Sequence, residues 1–345
     1  MKSVRFAIIG CGAISKAHIQ VIQSLDGAEV GAAVDINEAR ARQVGEELGC
    51  PWYTSIEDML ADKDNAIDVV NICTASGLHM EPAISAAAAG KHVLIEKPLE
   101  VTLERCDAII DACKKHGVLL GGVFQSRFLP ANILVKKAVD NGYFGKLLLG
   151  NAEVKWFRAK EYYSTAGWRG TWRFDGGGAL MNQGIHQVDL LQWMMGPVVS
   201  VKAITQRLVH ETIEVEDLAV ALLQFANGGV GVIEASTCIA PGYPKKLEIH
   251  GSLGGAIVQD DVITASTGIP EGPELDEAKA SHGHVANFAD PMAISFLGHE
   301  RQISDFIHVI HHGGTLAITG EEARKSVQIV TAVYEAAKSG TTVTL

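Results

Sequence analysis

The chain has 345 residues, of which 47% are hydrophobic, and a formal net charge of −11. That length suits two domains, and that hydrophobic share can build a core in each. The acidic balance argues against a nucleic-acid partner, which requires a basic face, and no apolar run is long and charge-free enough to span a membrane.

The six cysteines, Cys11, Cys50, Cys73, Cys106, Cys113 and Cys238, form no CxxC pair or other metal-like spacing. They read as reduced thiols of a cytoplasmic protein. The pairs His282/His284 and His311/His312 lack a neighbouring cysteine or carboxylate spacing, so no metal site is expected. The opening "MKSVRFAIIGCGAISKAH" is basic and then apolar, as a secretion signal is. Its apolar run is short and glycine-interrupted, however, and no small-residue cleavage site follows.

The first third alternates strands and helices. Val4 to Ile9 is an apolar strand leading into Gly10-x-Gly12-x-x-Ser15 and then a helix. This is the dinucleotide fingerprint, with Ser15 at the place of its third glycine or alanine. Gly10 permits the tight turn, Gly12 lets the backbone approach a pyrophosphate, and the helix start offers free N–H groups. The next strand, "AEVGAAVD", ends at Asp35. A carboxylate there accepts from a ribose diol and repels a 2′-phosphate, and Ile36 and Asn37 supply no basic group, which favours NAD over NADP. Alternatively, Asp35 caps the helix that follows. "AIDVVNICT", "KHVLIE" and "VLLGGVF" are further strands, separated by the helices "HMEPAISAAAAG" and "LERCDAIIDACKKHG". The expected fold is therefore an α/β Rossmann domain, a doubly wound parallel sheet covered on both faces, over residues 1–123. Ligands bind beyond the carboxyl ends of such strands. Thr74-Ala75-Ser76 and Glu96-Lys97-Pro98 both lie there. Taken alone, Lys97 could be an ordinary solvated strand end; its place at that rim gives it a second meaning.

The remainder, residues 124–345, reads as an α+β domain with a large, mostly antiparallel open sheet. "PANILVKKAVDNGYFG" is a helix ended by Asn141-Gly142. Strand-like runs follow: "KLLLGNAEVKWF", "VVSVKAITQRL", "DLAVALLQFANGGVGVIEAST", "KKLEIHG" and "GGAIVQDDVITAST". Asn227-Gly228-Gly229 marks a hairpin. Several runs are more apolar than a half-exposed sheet needs, which suggests a subunit interface across it. "WFRAKEYYSTAGWRGTWRF", Trp156 to Phe174, is dense in aromatics and arginines suited to sugar faces and hydroxyls, with Trp168, Arg169 and Trp172 foremost. From Ala179 onward "GGGALMNQGIHQVDLLQWMMG" has helical period, so Asn182, His186 and Asp189 share a face. A histidine on that polar stripe is either a proton shuttle or a hydrogen-bonded core residue. The segment from Ser266 to Pro291 reads as a long ordered loop that touches substrate or a neighbouring subunit.

Together, Gly10-Cys11-Gly12, the turn Thr74 to His79, Glu96-Lys97-Pro98 and the His186 helix resemble the Gfo/Idh/MocA family of glucose–fructose oxidoreductases and inositol dehydrogenases, within it the sugar 3-dehydrogenase branch. The resemblance implies NAD-dependent oxidation of a secondary hydroxyl on a pyranose sugar or its derivative, with Lys97 and His186 as the catalytic acid–base pair. Expected cofactor contacts are Gly10, Gly12, Ala13, Ile14, Asp35, Thr74, Ser76, His79, Glu96 and Lys97. Expected substrate contacts are Lys97, Gln125, Trp168, Arg169, Trp172, Asn182 and His186. Many family members carry aspartate where this chain has Asn182, which can orient a hydroxyl but takes no proton. A homodimer or homotetramer is expected. The rival readings are a cyclitol dehydrogenase, a glycoside hydrolase using NAD without net redox change, a reductase running in the opposite direction and a non-catalytic cofactor sensor.

Overall fold

The computed structural model describes residues 2–280 and 296–345. The chain divides into two compact units. The first comprises residues 1–125 and 296–324, the second residues 126–295 and 325–345. The expected single boundary at 123/124 did not foresee that the chain returns to its first unit after the second is largely built. The reason is apolar. Ile303, Phe306, Val309 and Leu316 are buried in one cluster with Phe6, Ile8, Val21, Ile22 and Leu94. A Cβ at Gly121 would come within 2.9 Å of the Phe306 ring, so a glycine lets the returning helix settle on the sheet.

In the first unit, β1 (Val4–Ile9), β2 (Ala28–Val34), β3 (Trp52–Tyr53), β4 (Val69–Ile72), β5 (His92–Ile95) and β6 (Leu120–Gly122) form one sheet in the order β3-β2-β1-β4-β5-β6. Every pairing is parallel. The central strands are buried on both faces, as β4 shows throughout its length, which explains their continuous apolar runs. Helices Ser15–Ser24, Glu38–Leu48, Ile56–Ala61, Met80–Ala88 and Leu103–His116 connect the strands, and Phe296–His312 adds the returning helix. The short β3 and its helix lie in a stretch whose period the sequence does not reveal. The long helix Gly320–Ser339 starts in the first unit and continues in the second.

The second unit holds β7 (Leu147–Lys155), β8 (Val198–Gln206), β9 (Leu218–Phe225), β10 (Val230–Ser236), β11 (Lys246–Gly251), β12 (Gly255–Gln259), β13 (Val262–Thr267) and β14 (Val343–Thr344), in the order β13-β12-β11-β7-β10-β9-β8-β14. All neighbours are antiparallel except β7 and β10. The expected hairpin joins β9 to β10, with Gly228 at a positive φ. A second hairpin between β12 and β13 turns at Asp260 and Asp261, both at positive φ. One face carries Ala219, Ala221, Leu223, Phe225, Ile233 and Ile249, all buried. The helix Ile185–Met195 lies close on this sheet: a Cβ at Gly150 would be 2.6 Å from Leu191 and 2.8 Å from Met195. The other face leaves Ile204, Val220, Leu222 and Val230 exposed. The stretch expected to be a loop from Ser266 contains the helix Pro273–Lys279; its part from 281 to 291, with His282 and His284, lies outside the described residues.

The helix is also fixed by charge. Arg127 donates from Nε to Asp189 Oδ2 and from Nη2 to Oδ1, both at 2.7 Å, and the Ser326 hydroxyl donates to Oδ1. Asp189 therefore works inside the unit and does not extend the polar stripe. Removing one partner of a buried pair strands the other charge. We predict that Asp189→Leu costs about 3–5 kcal/mol in thermal unfolding, and that the double replacement Arg127→Met/Asp189→Leu recovers most of it.

Candidate active site

Because β1, β2, β4, β5 and β6 run parallel, the residues that follow them lie on one edge of the sheet. Gly10, Asp35, Thr74 to Ser76, Glu96-Lys97 and Gln125 all follow these strands. The ladder continues into the loops: Gly10 N–H donates to Val34 O at 2.7 Å, and Glu96 N–H to Ile72 O at 3.0 Å.

Gly10 and Gly12 are glycines for different reasons. Gly10 has φ +91°, and a Cβ there would lie 2.9 Å from Thr74 N, so the fold itself demands it. At Gly12, a Cβ would meet nothing within 4 Å and φ is ordinary. The fold does not require that glycine; a group brought against the backbone from outside would. Ala13 is exposed and Ile14 half-buried beside it. The helix Ser15–Ser24 begins after Ile14 with no side-chain cap, whereas Asn37, Ser55 and Thr102 cap the helices that follow them. Ser15 fits the third fingerprint position because its hydroxyl is satisfied internally, donating to Gly12 O at 2.7 Å. Burial pushes the thiol of Cys11 in the same loop up to about 12, which disfavours its thiolate. Asp35 accepts from the backbone N–H groups of Cys11 (2.9 Å) and Asn37 (2.8 Å). Asn37, not Asp35, caps the next helix by accepting from Arg40 N. These residues fit a dinucleotide, with room for its pyrophosphate at Gly12 and a fixed carboxylate for its ribose at Asp35.

Two expected cofactor contacts have other work. His79 is wholly buried. Its Nδ1 donates to Pro98 O at 3.0 Å and its Nε2 lies 3.3 Å from Thr74 O, so it ties the loop after β4 to the segment after Lys97. Burial holds its pKa below the usual histidine value. Glu96 is also buried and points inward, accepting from His18 Nε2 at 2.8 Å and from the Lys97 backbone N–H at 3.0 Å. Both act on the rim through the backbone. Thr74 is half-buried, its hydroxyl donating to Leu78 O, and Ser76 is buried at the start of a short 3-10 helix. Lys97 is half-buried and precedes Pro98 across a cis peptide bond. Gln125 is half-buried, and its Oε1 has no hydrogen-bond partner among the described residues.

In the second unit, His186 is half-buried on the helix Ile185–Met195. That helix is preceded by a wider π-helical turn, Ala179–Gly184, which contains Asn182. Such turns often mark functional sites. The turn is anchored by Glu216, which accepts from Gly178 N and Leu180 N at 2.8 Å and from the Tyr334 hydroxyl at 3.0 Å. A Cβ at Gly178 would lie 1.8 Å from Glu216 O, so the glycine run permits this contact. Asn182 donates to Asp175 Oδ1 at 2.6 Å, and its own oxygen accepts from Gln183 Nε2. A buried carboxylate thus stands directly behind the asparagine. Sequence spacing missed Asp175, Gln183, Glu216 and Tyr334, because their meeting depends on loop geometry. The glycine run Gly176 to Gly178 was the available signal.

The aromatic segment sorts by exposure. Trp172 is 47% exposed, its ring edge-on to Tyr334 at 5.3 Å. Trp168 is half-buried. Arg169 is stacked on Tyr162 at 4.2 Å and on Trp168 at 5.4 Å, and donates to Tyr162 O. These contacts brace the loop from which Arg169 is expected to meet substrate.

Residues 4–123 match the model of an oxidoreductase family with an NAD-binding Rossmann fold, and residues 133–257 match the GFO/IDH/MocA C-terminal domain. The chain belongs to the Gfo/Idh/MocA oxidoreductase family. It is 28% identical over 331 residues to myo-inositol 2-dehydrogenase of Thermotoga maritima, covering 94% of this chain and 93% of that one. It is 28% identical over 293 residues to levoglucosan dehydrogenase of Pseudarthrobacter phenanthrenivorans, covering 74% of each. Among solved structures, the WlbA dehydrogenase from Bordetella pertussis in complex with NADH and UDP-GlcNAcA is 33% identical, with a TM-score of 0.90 over 100% of this chain and 98% of that one. The protein is an NAD-dependent oxidoreductase of the sugar and cyclitol dehydrogenase family. Among the described residues no helix is long and apolar enough to cross a membrane.

Two expectations follow. Gly12→Ala leaves the melting temperature unchanged but weakens NAD binding at least about tenfold by calorimetry, while Gly10→Ala lowers the melting temperature through its positive φ. Burial pushes Glu216 up to about 7, against the lowering effect of its backbone and Tyr334 donors. A raised acid stabilises the native state below its ordinary value, and that contribution is lost as pH rises through 7. The melting-temperature gap between wild type and Glu216→Gln therefore narrows from about pH 5 to about pH 8.

Proposed function

We propose that this enzyme oxidises a secondary hydroxyl of a pyranose sugar or sugar derivative, with Lys97 and His186 as the acid–base pair. The observation that carries the reading is the placement of Lys97. It follows β5 on the sheet edge that also bears the Gly10–Gly12 turn and Asp35, and a buried carboxylate grips its backbone. NAD, when bound, supplies the acceptor for the hydride. Lys97 holds the reacting hydroxyl and stabilises the negative charge that develops on its oxygen. His186 takes or relays the hydroxyl proton. Asn182 orients a neighbouring hydroxyl, with Asp175 fixing its amide. Trp172, with Trp168, offers an aromatic face to the ring, and Gln125 offers an amide oxygen. The Asp35 carboxylate and the exposed Ile36 beside it favour NAD over NADP. A nucleotide-linked uronate is the first substrate to try, since such a ligand sits in the WlbA dehydrogenase complex.

Lys97→Met and His186→Ala are each expected to lower kcat by about 100-fold or more while leaving the NAD dissociation constant within about threefold. Turnover near wild type in either variant removes that residue from the mechanism.

A homodimer or homotetramer formed through the open face of the second sheet accounts for Ile204, Val220, Leu222 and Val230 standing exposed together. Leu222→Lys should then reduce the mass seen by light scattering to a smaller species; an unchanged mass places the interface elsewhere. A cytoplasmic location suits the six free thiols.

A further inference from the structure

The inward turn of Glu96 exposes a device beneath Lys97. Glu96 divides its two oxygens. Oε2 accepts the backbone N–H of Lys97 at 3.0 Å, and Oε1 accepts from His18 Nε2 at 2.8 Å. His18 lies on the first helix and is itself fixed from behind: Asn71 of β4 donates from Nδ2 to His18 Nδ1 at 2.9 Å. His299, from the returning helix, stands edge-on to the His18 ring with centroids 5.4 Å apart. His18, Asn71 and His299 are 0–1% exposed and Glu96 is 5% exposed.

The hydrogen bonds fix the protonation. The Asn71 amide donor occupies the Nδ1 lone pair, so the imidazole proton sits on Nε2 and points at Glu96. Burial holds the His18 pKa below the usual value, which keeps the ring neutral. Burial alone would raise Glu96, but His18 and His299 together outweigh it and hold the carboxyl well below its usual range. Candidate ligand atoms of His18, Glu96 and His299 lie within 4.8 Å of one another, a spacing a metal ion could bridge. His18 Nε2 carries the proton, however, and so has no lone pair to give.

We infer that His18 is a positioning residue: through Glu96 it sets the backbone of Lys97, and with it the reach of the ammonium. The inference rests on the reading of Lys97 as catalytic. A buried carboxylate accepts the two N–H groups aimed at it, from two elements, and so ties the strand end to the first helix. Without the His18 donor, Glu96 loses its fixed direction and the Lys97 N–H loses a fixed acceptor. Displacement of a reacting group by about 1 Å costs on the order of 100-fold in rate.

The test compares His18→Leu, which has no donor, with His18→Gln, whose amide N–H can reach the place of Nε2. Two quantities are read on folded protein. The first is steady-state kinetics with NAD and a sugar that the wild-type enzyme oxidises. The second, needing neither cofactor nor sugar, is the rate at which cyanate carbamylates Lys97, followed by peptide mass spectrometry. His18→Leu should lower kcat by about 10- to 100-fold with both KM values within about threefold. It should also change the carbamylation rate at Lys97 by at least about threefold, with other lysines unaffected. His18→Gln should restore both. Equal behaviour of the two variants, an unchanged carbamylation rate in His18→Leu, or stoichiometric zinc in the purified wild-type protein lost in both variants would overturn the inference. If Lys97→Met keeps its turnover, the catalytic reading of Lys97 fails, and the carbamylation rates still decide whether His18 positions that lysine.

Discussion

A parallel sheet brings every strand of one direction to an end on the same edge, and there the backbone must find partners beyond the ladder. In the first unit that edge carries the residues of the proposed chemistry. Gly10, Asp35, Thr74, Lys97 and Gln125 belong to separate loops, yet all follow strands of one sheet. Buried polar side chains cross-link these loops. His79 joins the loop after β4 to the segment after β5, while Glu96, gripped by His18, ends β5. Burying histidine and a carboxylate is costly unless their hydrogen bonds are made, and here the bonds shown rigidify the rim. Hydride and proton transfer both demand a fixed geometry of this kind.

The second unit solves a similar problem with different parts. Its His186 helix opens in a π-helical turn whose first N–H groups point at a buried carboxylate, Glu216, and its body is held by the pair Arg127–Asp189. The glycine run Gly176 to Gly178 makes the approach possible, since a side chain at Gly178 would collide with the Glu216 carbonyl. Along this stretch Asp189 is buried in its ion pair, while Asn182, tied to Asp175, and His186 are half-buried.

Much of the first unit is legible in the sequence because its signals are local. An apolar strand before Gly10-x-Gly12, a strand ending at Asp35 and a proline after Lys97 each carry their meaning within a few residues. The return of residues 296–324 to that unit is not legible, since it depends on Phe306 finding the groove at Gly121, about which neither segment says anything alone. The direction of a side chain is equally hidden. Glu96 and His79 sit in the right motif for cofactor contacts, but both turn inward toward partners distant in sequence. Arg169 looks available in a loop full of aromatics, and those same aromatics hold it. Asp189 shares a helical face with His186 by spacing, and only the approach of Arg127 shows its purpose.

The claim most in need of measurement is net redox chemistry on a pyranose. Purified enzyme, shown by calorimetry to bind NAD, would be given a panel of free sugars, cyclitols, levoglucosan and nucleotide-linked uronates, and NADH and sugar product would be counted together. The account predicts one NADH for each pyranose converted to a ketone. Conversion or cleavage of a sugar with no net NADH, or NADH from cyclitols alone, would contradict it.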